Sequence, residues 1–301
     1  MMGVVTVFAW LTDRKNGMIS LDLQKITAII AEVAATEIMP RFRQLAEGDI
    51  EMKGVNDPVT VADKAAEDAL IVRLTQASPC SVVVGEESFA KDASIQSRFG
   101  GDDYVWVIDP IDGTRNFIEG TPEFGVMVAL VHRKQTLAAW IHDPSTGDTL
   151  TAERGGGVWL GANKMRLAGH DASLPRIGLV GSRLAKLLTS SNIPPLPETL
   201  PKLVTGSAAA FDYGRLFTGD ASFARSAAKR ASFLIYRMSK PWDHVAGLLM
   251  LAETGGYAAD LLGNPYDMER CETGLLIAPN QEAWDTLHRD ARPAIEVLLR
   301  M

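Results

Sequence analysis

An α+β fold of layered helices and mixed or antiparallel sheets is what this sequence predicts, and three observations carry that reading. SVVVGEES and YVWVIDPIDG each run an unbroken apolar stretch straight into acidic residues, as strands covered on both faces do. FGVMVALVHRKQTLAAWIHDP holds two more apolar runs around the polar stretch His132–Gln135, the pattern of an antiparallel pair. In the second half, RIGLVGS and KLVTGS read as strands that each end in Gly-Ser before helical sequence. Helices and strands intermixed in this manner pack as layers around shared cores.

The remaining elements follow in order. Leu23, Ile26, Ile30, Val33 and Ala34 fall at helical spacing within residues 21–46, and Pro40 should bend or divide that helix. A second helix is expected to begin near Thr60. DTLTAERGGGVWLGANK reads as a strand with a glycine-rich turn, and PWDHVAGLLMLAETGG as a helix stopped by Gly255 and Gly256. Strands GYAAD and GLLIAP precede a closing helix from Gln281 to Leu299. NIPPLPETLP, Asn192 to Pro201, is the most linker-like stretch, and no internal repeat or low-complexity region interrupts the chain. Residues 21–301 read as a single unit that changes character near residue 175. Residues 1–20 read as a loosely ordered extension, with Met18 an alternative start.

Composition narrows the function classes. With 301 residues and 47% hydrophobic content, a substantial core is available. A net charge of −7 argues against general affinity for nucleic acid or an anionic membrane surface. The longest apolar runs are too short to span a bilayer. The two cysteines, Cys80 and Cys271, are far apart and suit a reducing, cytoplasmic setting.

Carboxylates cluster where strands or helices begin or end: Asp63 in DPVTVAD, Glu86 and Glu87 in GEES, Asp109 and Asp112 in DPIDGT, and Asp243 in PWDH. Hard oxygen donors of this kind suit Mg2+, whose shell is completed by water and substrate phosphate. Asp109 and Asp112, separated by Pro110 and Ile111, can face one cation together with the Ile111 carbonyl. Gly113 and Thr114 then open a helix whose free N–H groups suit a phosphate. Cation and helix start together would clamp a phosphoryl group for in-line displacement.

Structural readings compete at each position. Asp63 completes a capping box with Thr60, Asp243 suits the first turn of a helix, and Glu87 reads as a solvated side chain. The Asp109–Asp112 pair resists such a reading, because charge at the end of a buried strand is costly unless something compensates it. The histidines show no metal-ligand spacing, and GSAAA, Gly206 to Ala210, marks a turn that a ligand can approach closely.

These motifs resemble the inositol monophosphatase family of magnesium-dependent, lithium-sensitive phosphatases. GEES, WVIDPIDGTRNF, GSAA and KPWDHVAG...AETGG stand in the family's order, and the similarity covers about residues 21 to 300. The resemblance implies an αβαβα sandwich, usually a homodimer, with residues 21–175 forming the metal- and phosphate-binding half and 176–301 a second αβ half. It implies metal ligation of two or three Mg2+ ions by Glu86, Asp109, the Ile111 carbonyl, Asp112 and Asp243. Asp63 would help hold a further ion or its water, and Thr114, with Glu86, would orient the attacking water. Gly113 and Thr114 would bind phosphate, while Asp112, Ser207, Ala208 and Asp243 would line the substrate.

The expected activity is hydrolysis of a small phosphorylated alcohol such as inositol monophosphate. Two departures keep other substrates open. Where inositol-preferring relatives often carry an acid, seven positions before the W-D aspartate, this chain has Tyr236 followed by Arg237. The basic stretch ASFARSAAKR, with Arg225, Lys229 and Arg230, reads as an insertion. A bisphosphate of the 3'-phosphoadenosine 5'-phosphate or fructose 1,6-bisphosphate kind, or histidinol phosphate, is therefore the alternative substrate. A regulatory binding protein that retains the fold is the alternative of another class.

Overall fold

The computed structural model describes residues 21–167, 177–188, 194, 202–217, 223, 231–298 and 300. The extension over residues 1–20, most of the linker-like stretch and nearly all of the basic insertion lie outside the described residues.

The chain opens with α1 (Leu23–Val33), capped by the Asp22 carboxylate, which accepts the Lys25 N–H. The helix loosens over Ala34–Ile38 and ends in a short turn at Met39–Arg41, so Pro40 divides it as expected. A hairpin of β1 (Ile50–Gly54) and β2 (Asp57–Thr60) leads into α2 (Val61–Ala77), whose N-cap is Thr60. There follow β3 (Ser81–Gly85), α3 (Glu86–Lys91), β4 (Tyr104–Asp112) and α4 (Thr114–Ile118). Next come β5 (Gly125–His132), β6 (Gln135–His142), β7 (Thr149–Glu153), β8 (Gly157–Leu160) and β9 (Asn163–Lys164). The second half supplies β10 (Ile177–Val180), α5 (Ser182–Leu188), β11 (Lys202–Thr205), α6 (Ala209–Gly214) and β12 (Phe233–Tyr236). It closes with α7 (Pro241–Glu253), β13 (Tyr257–Ala259), β14 (Leu275–Ala278) and α8 (Gln281–Leu298).

Strands β3 to β9 form one sheet in sequence order, parallel only between β3 and β4. The second sheet runs β11-β10-β12-β14-β13, parallel across its first three strands and antiparallel thereafter. Alternation along β4 explains why its sequence is apolar without a break from Val105 to Ile108. Trp106 and Ile108 pack against α1 and α2, while Val105 and Val107 face α6 and α7 on the other side. The opposite face of the second sheet carries Val180, Phe233, Ile235 and Leu276 against Leu184 of α5 and Trp284, Ala291 and Ile295 of α8. The order of layers is thus helices, seven strands, helices, five strands, helices, which is the αβαβα sandwich.

Helices from the second half fill the space between the sheets, so the two halves share one core. Trp140 ties α1 down by donating from its indole N–H to Thr27 Oγ1 at 3.1 Å. No helix among the described residues is long and apolar enough to cross a membrane. Cys80 is exposed and Cys271 buried, and both are free thiols.

Candidate active site

Local strand geometry gathers the acids. Asp109 and Asp112 are an odd number of residues apart, so a regular strand would send them to opposite faces. The pairing of β4 with β5 slips between Asp109 and Asp112, and this irregularity turns both carboxylates toward the middle helix layer. On the other edge β3 ends where Gly85 pairs with Ile108, so no strand is present to receive the N–H that Pro110 lacks. The Asp109 carboxylate accepts the Ile111 N–H at 3.0 Å and stiffens the turn.

Oxygens of Glu86, Asp109 and Asp243 come within 4.8 Å of one another. They arrive from three elements: the first residue of α3, the end of β4 and the first turn of α7. Asp109 is only 2% exposed, while Glu86 and Asp243 are half-buried at the mouth of the group. Asp112 adjoins the set, its Oδ2 accepting the Ala210 N–H at 2.6 Å from the start of α6.

Burial and mutual repulsion make these acids reluctant to ionise. Burial, followed by the charges of Glu86, Asp112 and Asp243, raises the Asp109 pKa well above the carboxylate range. Burial pushes Glu86 up to about 8 against the pull of Lys53. Burial and then the Asp112 charge bring Asp243 up to about 7. For Asp112, burial gives a value of about 6 despite the Ala210 and Ala209 amides. Converging oxygens that cannot all carry charge unaided are a donor set that a hard divalent cation fits.

Asp63 serves two purposes at once. One oxygen completes the capping box, accepting the Thr60 N–H at 2.8 Å and the Thr60 hydroxyl at 2.5 Å. The other lies 3.0 Å from the Thr114 hydroxyl, which is also 3.0 Å from the Ile111 carbonyl. Burial raises Asp63 to about 6 against these hydrogen bonds. Gly113 precedes α4 with φ of 89°, and a Cβ there would lie 2.9 Å from the Ala208 Cβ. Close approach and a left-handed backbone both require glycine. The Ser207 hydroxyl beside it is buried and has no hydrogen-bond partner among the described residues.

Sequence reasoning placed Glu87 in solvent, and the structure corrects this. Glu87 is 4% exposed, and its carboxylate takes Lys53 Nζ at 2.8 Å while the same ammonium lies 2.7 Å from Glu86. Burial works against the Lys53 charge, yet Glu86 and Glu87 more than offset it and hold that charge firmly. Three further residues escaped the sequence reading: Lys53 on β1, Glu67 on α2 and Asp212 on α6. Glu67 carried a usable signal, being four residues after Asp63 on the face that buries Ala62, Ala66, Leu70 and Leu74. Tyr236 does not stand free either; its hydroxyl donates to Asp212 at 2.9 Å. Arg237 donates to the Glu272 carbonyl at 2.6 Å.

A five-layer sandwich whose strand and helix ends focus carboxylates beside a glycine-led turn defines the class. The chain belongs to the inositol monophosphatase family, which it matches over residues 22–296, and is a phosphatase of that superfamily. It is 30% identical over 278 residues to the Nus factor SuhB of Pseudomonas aeruginosa, covering 91% of this chain and 97% of the relative. It is likewise 30% identical over 240 residues to an inositol-1-monophosphatase of Mesorhizobium japonicum, covering 80% and 85%. In fold it is similar to an IMPase of Thermotoga maritima, with a TM-score of 0.69 and 23% identity over 92% of this chain and 98% of the other.

Proposed function

We propose that the protein is a Mg2+-dependent phosphomonoesterase acting on a small phosphorylated alcohol of the inositol monophosphate kind. The approach of Glu86, Asp109 and Asp243 to within 4.8 Å, beside Asp112, Gly113 and Thr114, is the observation that carries this reading. Glu86, Asp109, Asp112, Asp243 and the Ile111 carbonyl would hold two or three ions. Bound there, magnesium supplies Lewis acidity toward a phosphoryl oxygen and lowers the pKa of water.

The chain's own groups do the rest. Asp63 orients the Thr114 hydroxyl, and Thr114 with Glu86 positions the attacking water. The N–H groups of Gly113 and Thr114, at the start of α4, bind phosphate. Ser207, whose hydroxyl has no partner among the described residues, lies with Ala208, Asp112 and Asp243 along the alcohol side. Residues 21–301 act as one phosphatase unit, with residues 1–20 an extension, and function as a cytoplasmic, lithium-sensitive homodimer. Asp112→Asn tests the assignment: magnesium-dependent turnover should disappear, and a variant that retained it would sink the reading.

Tyr236, occupied with Asp212, offers no carboxylate to a polyol. This favours testing bisphosphates and histidinol phosphate beside inositol phosphate in one substrate panel. Similarity to a protein named a Nus factor supports a second reading, a regulatory binding role. Wild-type and Asp112→Asn proteins should then capture the same partner, whereas a purely enzymatic protein would capture none.

A further inference from the structure

The start of α3 is held by a side chain that does not belong to it. Gly85 stands at the N-cap with no side chain of its own, and α3 begins at once with Glu86. Its first free N–H groups need acceptors. The Glu67 carboxylate of α2 supplies them: Oε2 accepts the Glu87 N–H at 2.9 Å and Oε1 accepts the Ser88 N–H at 2.7 Å. The Ser88 hydroxyl adds a bond of 2.6 Å to Oε1. Glu67 is 2% exposed, and a Cβ on Gly85 would lie 2.3 Å from its Oε2, so the carboxylate occupies the space that any other residue at position 85 would need.

We propose that Glu67 is the positioning residue for Glu86, fixing the first turn of α3 so that the Glu86 carboxylate is held against Asp109 and Asp243. This rests on the reading of that group as the cation site. A serine or asparagine at the N-cap would satisfy the same amides without adding another buried acid near an acidic cluster. What Glu67 adds is a link between helices. Asp63 and Glu67 lie four residues apart on one buried face of α2, Asp63 holding Thr114 and Glu67 holding the backbone beside Glu86. One helix face therefore sets the spacing between the hydroxyl and the carboxylate that the reaction uses together.

The test is calorimetric titration of the full chain with magnesium alone, together with melting temperature in a chelator. Glu67→Gln keeps the size of the side chain but turns an amide N–H toward donors. It should raise the magnesium dissociation constant about tenfold while leaving the melting temperature within a few degrees of wild type. Gly85→Ala, which displaces the carboxylate, should give a similar shift, and the double variant should be no worse than either single one. Ser88→Ala is the milder variant, removing one bond of three, and should weaken binding about threefold. A Glu67→Gln protein that melts early yet binds magnesium as tightly as wild type overturns the proposal, leaving Glu67 a structural cap. Wild-type protein that binds no magnesium, or a Glu86→Gln variant that binds it undiminished, overturns the cation-site reading and the proposal with it.

Discussion

Two helix starts face the carboxylate group, and they are held in opposite ways. At α3 a separate residue, Glu67, caps the helix, and Glu86 is left to face Asp109 and Asp243. At α6 the cap is the candidate ligand itself, because Asp112 accepts the Ala210 N–H. One side separates positioning from ligation; the other combines them in a single carboxylate. The two sides should fail differently when broken.

If both acids hold the cation as proposed, removing either should abolish activity, by at least about a thousandfold, since about 4 kcal/mol of transition-state stabilisation goes with a lost metal ligand. Stability separates them. Asp112→Ala orphans buried amides at the start of α6 and should cost about 1–3 kcal/mol. Glu86→Ala leaves the Glu67 cap intact and relieves repulsion, so metal-free protein should melt no lower than wild type. Equal losses of stability in chemical denaturation would dissolve the contrast.

The Asp112 side was legible in the sequence and much of the Glu86 side was not, for physical reasons. A wholly apolar strand that runs into Asp-Pro-Ile-Asp-Gly announces itself, because nothing else accounts for charge at that place. Glu86 and Glu87 are chemically identical neighbours that both reach Lys53, and only the start of α3 decides that Glu86 also faces Asp109 and Asp243. Lys53 lies on β1, whose residues are exposed or half-buried with no regular alternation, so periodicity gave no sign of a strand. The layers followed from local patterns, since each strand and helix carries its own burial rhythm. The order of the layers is long-range information that only the resemblance implies, and which helix fills which gap is seen in the structure's shared core.

Metal removal probes both sides together. Folded-state values of about 8 for Glu86, about 7 for Asp243 and about 6 for Asp112 stand above the ordinary carboxylate range. A carboxylate whose folded pKa is raised favours folding fully below its unfolded value and loses that contribution as pH rises through the folded one. Chelator-treated protein should therefore lose stability from about pH 4 to about pH 8. The rise in melting temperature on adding magnesium should grow over the same interval. A magnesium effect that is flat with pH would mean that the ion does not replace protons on these acids.

Gly113 joins the two sides, and its replacement should cost less activity than the loss of either acid. Gly113→Ala places a Cβ 2.9 Å from the Ala208 Cβ and 3.1 Å from the Glu123 carbonyl oxygen, at a φ of 89°. Strain of about 1–3 kcal/mol is expected. Because the nearest displaced neighbour, Ala208, is the N-cap of α6, KM for the phosphate ester should rise more than the magnesium dissociation constant. The reverse ranking would place the disturbance on the α3 side.

The smallest effect belongs behind α6. Asp212 takes the Ser207 N–H at 3.2 Å, Arg215 at 3.2 Å and the Tyr236 hydroxyl at 2.9 Å, so it braces the turn that carries Ser207 and Ala208. Tyr236→Phe removes one donor and leaves two. About 1 kcal/mol of stability should be lost. If the brace matters only to the alcohol side, KM should rise about two- to threefold with kcat within about twofold, because the candidate ligands on β4 and α3 are untouched. Magnesium affinity should stay at the wild-type value. A kcat that fell tenfold would show that the Asp212 brace reaches Asp112 through the start of α6, and that capping and ligation on this side cannot be separated even from behind.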